Sequence, residues 1–436
     1  MVKHQHEIRD PIHGFIRVDS QERKIIDSRP FQRLRHIHQL SMTYLLYPGA
    51  THRRFEHSLG VMELAGRVFD IVTKPENLTT EAARTVVPAS DLAYWRRVVR
   101  MAALCHDIGH LPFSHAAEKE LLPKGWSHER LTDELVRSDE VKELWSAIKV
   151  QAEDVAKLAL GPKEFGPKKH RRVQFSPWES ILAEIIVGDA FGADRMDYLL
   201  RDSYHAGVAY GRFDHYRLVD TLRILPKPDG EAPTLGVEEG GLHSVEALLL
   251  ARYFMYTQLY FHHIRRIYDY HLKEFLKAWL PGGRFSTKLS KHLAMTDNEV
   301  SSAILAAAQS KTAPGHDHAR RIVERDHYRL LYTRNPEDAA VNVTAAERIA
   351  AAAAVRFGDA ATHFFPYMER NSRLEFPVCL HDGRVVSCLL ASVVLNQIPE
   401  VSVEYVFVAP EKRIDAQRWL NVERAGIIAP KEGEAE

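Results

Sequence analysis

Apolar residues return every three or four positions through much of this chain, and that period dictates the kind of fold open to it. Val61, Leu64, Ala65, Val68, Phe69 and Val72 fall on one face of an amphipathic helix that the pattern starts near His57. Trp95, Val98, Val99, Ala102 and Ala103 mark the buried side of a second helix, Leu92 to Ile108, which Gly109 and Pro112 stop. The same texture predicts further helices over about 128–150, 178–203, 212–223 and 243–279. A mainly α fold follows.

Departures from the period divide the chain. EIRDPIHGFIRVD, Glu7 to Asp19, mixes β-branched residues with Pro11 and Gly14 and predicts a short strand pair. Residues 226–242 look like a hairpin inserted between helices, and the basic stretch 161–177 like an exposed loop. After about residue 280 the character changes. An alanine-rich helix, Ala345 to Ala354, precedes strands at Leu374–Leu380, Val385–Ala391 and Val401–Val408, with Asp382-Gly383 as a hairpin turn. The expected organisation is a helical domain over 1–280 and a smaller α+β domain over 281–436, the latter serving oligomerisation or regulation.

Composition excludes several classes. The 436 residues carry 58 Lys plus Arg against 58 Asp plus Glu, which argues against non-specific gripping of polyanions. No apolar run approaches a membrane span of roughly 20 residues, and the first residues contain no secretory-type segment. Three cysteines, Cys105, Cys379 and Cys388, form neither a CxxC nor a disulfide framework. A cytoplasmic location is expected.

The densest chemistry lies between residues 52 and 202. His106-Asp107 end a helix whose preceding turns are apolar, so one imidazole and one carboxylate are delivered to a single point. His57 stands at the start of another helix, and Asp194 lies in ADRMDYLLRD. Two imidazoles and two carboxylates suit a divalent metal such as Mn, Fe, Zn or Mg, with positions left for water. Each residue alone is more often a cap or surface group than a ligand. A zinc-protease reading of His106-x-x-x-His110 is poor, because Asp107 replaces the required Glu and Gly109 breaks the helix.

Order and context narrow the choice. HRRFEHSLG, ALCHDIGHLPFSH and ADRMDYLLRDSYHAGV resemble the HD-domain phosphohydrolases, and in particular the deoxynucleoside triphosphate triphosphohydrolase branch. The likeness begins at IRDPIHGFI, continues through FQRLRHIHQLSMTYLLYPGAT and reaches LLLARYFMYTQLYFHH, hardly touching 281–436. It implies an HD helical core, with His57, His106, Asp107 and Asp194 as metal ligands. It further implies phosphate contacts from Arg54, His110, His115, His128, Arg195, Tyr198 and Arg252, with His115 protonating the leaving 5′-oxygen. Gln39 and Asp202 match groups that meet the sugar 3′-hydroxyl, Leu40 packs on the base, and Tyr260 stacks under the sugar. Tyr256 stands where some relatives carry histidine.

The residues themselves agree in part. Asp194, Arg195, Tyr198 and Asp202 share a helical face, odd for a core and fitting for a polar cleft. Arginine forks and imidazoles are the groups a triphosphate would need. The expected function is metal-dependent hydrolysis of a deoxynucleoside triphosphate to deoxynucleoside and inorganic triphosphate. The alternatives are an HD phosphohydrolase acting on nucleoside monophosphates or another phosphoester, and a nucleic-acid-binding regulatory protein with a vestigial site. Expected partners are a nucleotide substrate, a nucleotide activator and further copies of the chain, as dimer or tetramer. Lys163, Lys168, Lys169, Arg171 and Arg172 read as a solvated loop, or more sharply as an anion site.

Overall fold

Gln5–Asp10 pairs antiparallel with Gly14–Asp19, placing Ile8 opposite Ile16 and Asp10 opposite Gly14. Asp10 shapes the turn, its Oδ1 accepting the backbone N–H groups of Ile12 and His13 at 2.9 Å each. The computed structural model describes residues 5–114, 118–166, 169–227, 232–368 and 374–429. Lys168 of the basic loop lies outside them.

The helical core is built from Arg54–Val72, Leu92–Cys105, Pro177–Val187 and Ala193–Ala206, which pack on one another. Their apolar faces, including Val61, Leu64, Val68, Val98, Val99, Ile181 and Leu199, are fully buried. Boundaries differ from the periodic reading wherever a local group intervenes. The first core helix starts at Arg54, because the Glu56 carboxylate accepts the Arg53 N–H at 2.6 Å. The second ends at Cys105, leaving His106 and Asp107 in the turn beyond it.

Long expected helices are interrupted. Residues 128–150 split into His128–Val136 and Asp139–Ile148 where Ser138 turns extended (φ −75°, ψ 161°). Residues 178–203 split into Pro177–Val187 and Ala193–Ala206 where Gly188 leaves the helical region (φ −61°, ψ 141°). The stretch 212–223 keeps only His215–Thr221, since Leu222 opens a strand. Residues 243–279 form Leu242–Met255, a π-turn at Tyr256–Tyr260, and His263–Trp279.

The inserted hairpin forms, Leu222–Leu225 against Thr234–Glu238, and becomes half of a larger sheet. Thr234–Glu238 runs parallel to Pro377–Cys379, which pairs in turn with Val385–Ser387. The strand expected over Val385–Ala391 is cut short. The Ser387 hydroxyl accepts the Leu389 N–H at 3.3 Å and starts the short helix Cys388–Ala391.

The backbone divides into two compact units, one of residues 1–255, 284–301 and 372–398, the other of 256–283, 302–371 and 399–436. The chain therefore passes between units several times rather than once near residue 280. In the second unit, Ser402–Val408 lies between Arg329–Thr333 and Thr362–Met368. Its core joins Val406 and Val408 to Ala346, Ile349 and Ala353 of the alanine-rich helix and to Ala416 and Leu420. Among the described residues no helix is long and apolar enough to cross a membrane.

Candidate metal centre and phosphate site

The first two core helices deliver imidazoles from opposite sides to one buried point. His57 lies one turn inside its helix and is 1% exposed, while His106 caps the end of the next. The His106 Nδ1–H donates to Ala103 O at 2.8 Å, and the His57 Nδ1–H donates to Asp197 Oδ2 at 2.8 Å. Both rings therefore keep Nε2 for a ligand.

Those two Nε2 atoms face the same carboxylates. His57 Nε2 is 3.1 Å from Asp194 and 3.6 Å from Asp107, and His106 Nε2 is 3.5 Å and 3.4 Å from them. Donors bound to one ion at ~2.1 Å stand about 3 Å apart, so the spacing fits ligands around a shared cation. His57, His106 and Asp107 offer atoms all within 4.8 Å of one another. His106 Nε2 is buried with no hydrogen-bond partner, a costly state for a ring nitrogen that a metal would relieve. The cluster can hold a divalent metal.

Electrostatics favour the charged carboxylates. Burial works against the Asp107 charge, but the Arg54 guanidinium with His106 and His110 outweighs it and holds the carboxyl well below its ordinary range. Asp194 is likewise depressed, burial being outweighed by His106 and His57. For His57, burial lowers the pKa while Asp194 and Asp197 raise it further, to about 10 in the metal-free protein. Metal entry must displace that proton.

Behind His57 lies a buried network that the sequence reading did not identify. Asp197 accepts from His57, from His13 Nε2 at 2.7 Å, and from Arg201 Nε and Nη2 at 2.8 and 2.9 Å. Arg201 also reaches Asp10 at 2.8 Å, so the turn of the first hairpin braces the centre. Gly60 makes this possible, because a Cβ there would sit 1.9 Å from Asp197 Oδ1. The signal was present, since Asp197 and Arg201 lie in ADRMDYLLRD and Asp10 and His13 in RDPIHG. Only the pairing was illegible.

Beside the cluster, His110 Nε2 lies 3.1 Å from Asp107 and stacks on His128 with centroids 4.0 Å apart. Gly109 permits this approach, since a Cβ there would meet His128 O at 2.2 Å. The two imidazoles are pushed apart in pKa. Burial, Arg54 and His128 keep His110 well below its usual value, whereas Glu118 and Glu129 overcome burial to raise His128. A ring biased toward its neutral form thus stacks on one biased toward its protonated form, an arrangement suited to holding anions and moving protons.

Arg54 is buried, touches Asp107 through Nη1 and donates Nε–H to Ser114 Oγ at 2.8 Å. Arg195 Nη1 is buried without a hydrogen-bond partner, Tyr198 is half-buried, and Arg252 lies on Leu242–Met255. Gln39 and Asp202 meet through His52, whose carbonyl accepts the Gln39 N–H at 3.1 Å and whose Nε2 lies 2.7 Å from Asp202. Leu40 is buried beside them in sequence. Tyr260 falls in the second unit, and His115 lies outside the described residues.

The sharper reading of the basic loop as an anion site loses force. In the basic loop Lys163 pairs with Asp189, Lys169 with Glu164 at 2.9 Å, and Arg171 with Glu153 at 2.6 Å. These cations are already partnered within the chain. Cys105 is buried, and burial pushes its thiol up to about 12, so it is inert at neutral pH.

Residues 54–201 match the HD domain family, and residues 213–358 match the HD associated region. An uncharacterized protein of Methanocaldococcus jannaschii is 36% identical over 266 residues, 61% of this chain and 48% of that protein. Deoxynucleoside triphosphate triphosphohydrolase SAMHD1 of Homo sapiens is 30% identical over 363 residues, 74% of this chain and 54% of that protein. The chain thus spans about half the length of the curated relatives it matches. A crystal structure of a hypothetical protein from Aquifex aeolicus superposes with a TM-score of 0.77 at 32% identity, covering 95% of this chain and 100% of that one.

Proposed function

We propose, from the premise that this chain belongs to the HD-domain family, that it is a metal-dependent phosphohydrolase cleaving deoxynucleoside triphosphates into deoxynucleoside and inorganic triphosphate. The observation that carries the reading is the convergence of His57, His106, Asp107 and Asp194 beside the stacked His110–His128 pair. Similarity to a relative named as a deoxynucleoside triphosphate triphosphohydrolase supports the substrate class.

One divalent ion held by the four ligands would polarise a phosphoryl oxygen and make a nucleophilic water available near neutral pH. The chain's own groups do the rest. Arg54, His128 and Arg195 offset phosphate charge, most strongly in the transition state, where it spreads over the equatorial oxygens. His110, kept neutral, donates or accepts one hydrogen bond without adding charge. Tyr198 and Arg252 extend the phosphate contacts, and His115 is assigned the proton that the departing 5′-oxygen needs. Gln39 and Asp202 address the sugar hydroxyl, Leu40 the base and Tyr260 the sugar face. A homo-oligomer and a nucleotide activator belong to the same proposal.

A panel of dNTPs and NTPs with Mn, Fe or Mg, scored by ion chromatography, tests it. Triphosphate release from dNTPs is expected. Orthophosphate as the only product would transfer the same centre to monophosphates or other phosphoesters. Salt-dependent DNA binding without turnover of any nucleotide would refute the enzymatic reading.

A further inference from the structure

Asp297 is 1% exposed and both of its oxygens are committed. Oδ2 accepts the backbone N–H of His38 at 2.7 Å and meets that residue's Nδ1 at 2.6 Å, while Oδ1 accepts the backbone N–H of Phe113 at 2.7 Å. The two segments so joined have little regular structure of their own. His38 leads directly into Gln39 and Leu40. Phe113 and Ser114 take φ of 56° and 59°, consecutive left-handed residues carrying side chains. Such a pair persists only where its surroundings over-determine it.

Several contacts supply that determination. The Ser114 hydroxyl donates to His38 O at 2.9 Å and accepts Arg54 Nε–H at 2.8 Å. The His38 ring stacks on Tyr44 at 5.0 Å and on Phe113 at 5.8 Å. The Arg54 N–H donates to Ile37 O at 3.0 Å, and Arg54 Nη1 touches Asp107. A continuous set of bonds therefore runs from Asp297 through both segments to Arg54. The hydrogen bonds of Asp297 go to none of the proposed metal ligands.

We propose that Asp297 is a positioning residue that locks the 113–114 turn to the 37–40 segment, so that Arg54 and Gln39 are held in register for the phosphate and the sugar of one nucleotide. The role rests on the nucleotide-hydrolysing reading above. Its chemistry requires a carboxylate. All three groups facing Asp297 are nitrogens, two of them backbone N–H donors, and an asparagine would turn its own NH2 against one of them.

The test compares Asp297→Asn with Glu299→Gln in the full-length, metal-loaded protein, measuring metal content, kcat and KM for a dNTP. Glu299 caps the same helix start, accepting Thr296 N and Oγ at 2.7 and 2.6 Å, and joins neither segment. Asp297→Asn is expected to keep its metal and raise KM by about 10-fold or more, with Glu299→Gln near wild type in both. Should Asp297→Asn fail to fold, Ser114→Ala removes the link from the other side and is expected to raise KM in the same direction. An active wild type with unchanged KM in Asp297→Asn, or in Ser114→Ala if the first does not fold, overturns the positioning role alone. A wild type that turns over no nucleotide overturns the function and this role with it.

Discussion

Replacing Asp197 by asparagine should weaken metal binding without touching a ligand. The carboxylate is fully buried and accepts from His57 Nδ1, His13 Nε2, Arg201 Nε and Arg201 Nη2 between 2.7 and 2.9 Å. Asparagine keeps the shape but retains one accepting oxygen, so two of those donors lose their partner. Removing one member of a buried ion pair costs about 3–5 kcal/mol. Arg201 retains Asp10 at 2.8 Å, which argues for the lower end, ~3 kcal/mol. At about 2 °C per kcal/mol for a large domain, the melting temperature should drop by roughly 6 °C. Loss of the acceptor that fixes the His57 ring should also cost about 10–100-fold in metal affinity. Competition against a chromogenic chelator, below the melting temperature, measures the second effect separately from the first. Asp10→Asn is the control, because it weakens the Arg201 pairing and leaves His57 untouched. Equal metal affinity in wild type and Asp197→Asn, with the expected loss of melting temperature, would show that the network only stabilises the fold.

Three further outcomes are expected. Asp107→Ala or His57→Ala should abolish turnover in a folded chain, and full activity in a purified, metal-occupied variant would sink the metal assignment. Gly109→Ala should destabilise by several kcal/mol, since its Cβ would collide with His128 O and with Thr132 N at 2.4 Å; an unchanged melting temperature would refute the close approach. Acid should destabilise the protein well above the carboxylate range. Burial lowers His205, His215 and His262 to about 4, and His271 and His292 also lie well below 6.5. The unfolded chain takes up those protons first, so stability falls from about pH 6.5 towards 4. His57 has the opposite sign, contributing fully below 6.5 and losing its share as pH rises towards 10 in the metal-free protein. A melting temperature that is flat from pH 7 to 4.5 would contradict this.

What could be read from the residues depended on whether the information was local. His106-Asp107 after an apolar helix, and His57 at the head of another, were visible because ordered blocks carry them. The partners that orient them were not, because Asp197 pairs with a histidine far upstream and nothing in RDPIHG names its target. Helix periodicity located the core faces, except that Trp95 of the second helix is only half-buried. It missed breaks at Ser138 and over Gly188–Gly192, where the backbone leaves the helical region while the apolar pattern runs on. Least legible was the parallel pairing of Val237 with Val378, since two short strands so far apart give no periodic hint of each other. Asp297 was invisible for the same reason, its partners being backbone amides of distant segments.

The bond between His13 and Asp197 spans 184 residues, and this sets a clock on the birth of the molecule. At about 5–20 residues per second, a ribosome makes the second residue on the order of 10–40 s after the first. His57, His106 and Asp107 are synthesised part-way through that interval, and for its remainder Asp194 and Asp197 are still absent. A nascent chain therefore has no finished cation trap until the helix Ala193–Ala206 has been made, so metal capture waits on the fourth core helix.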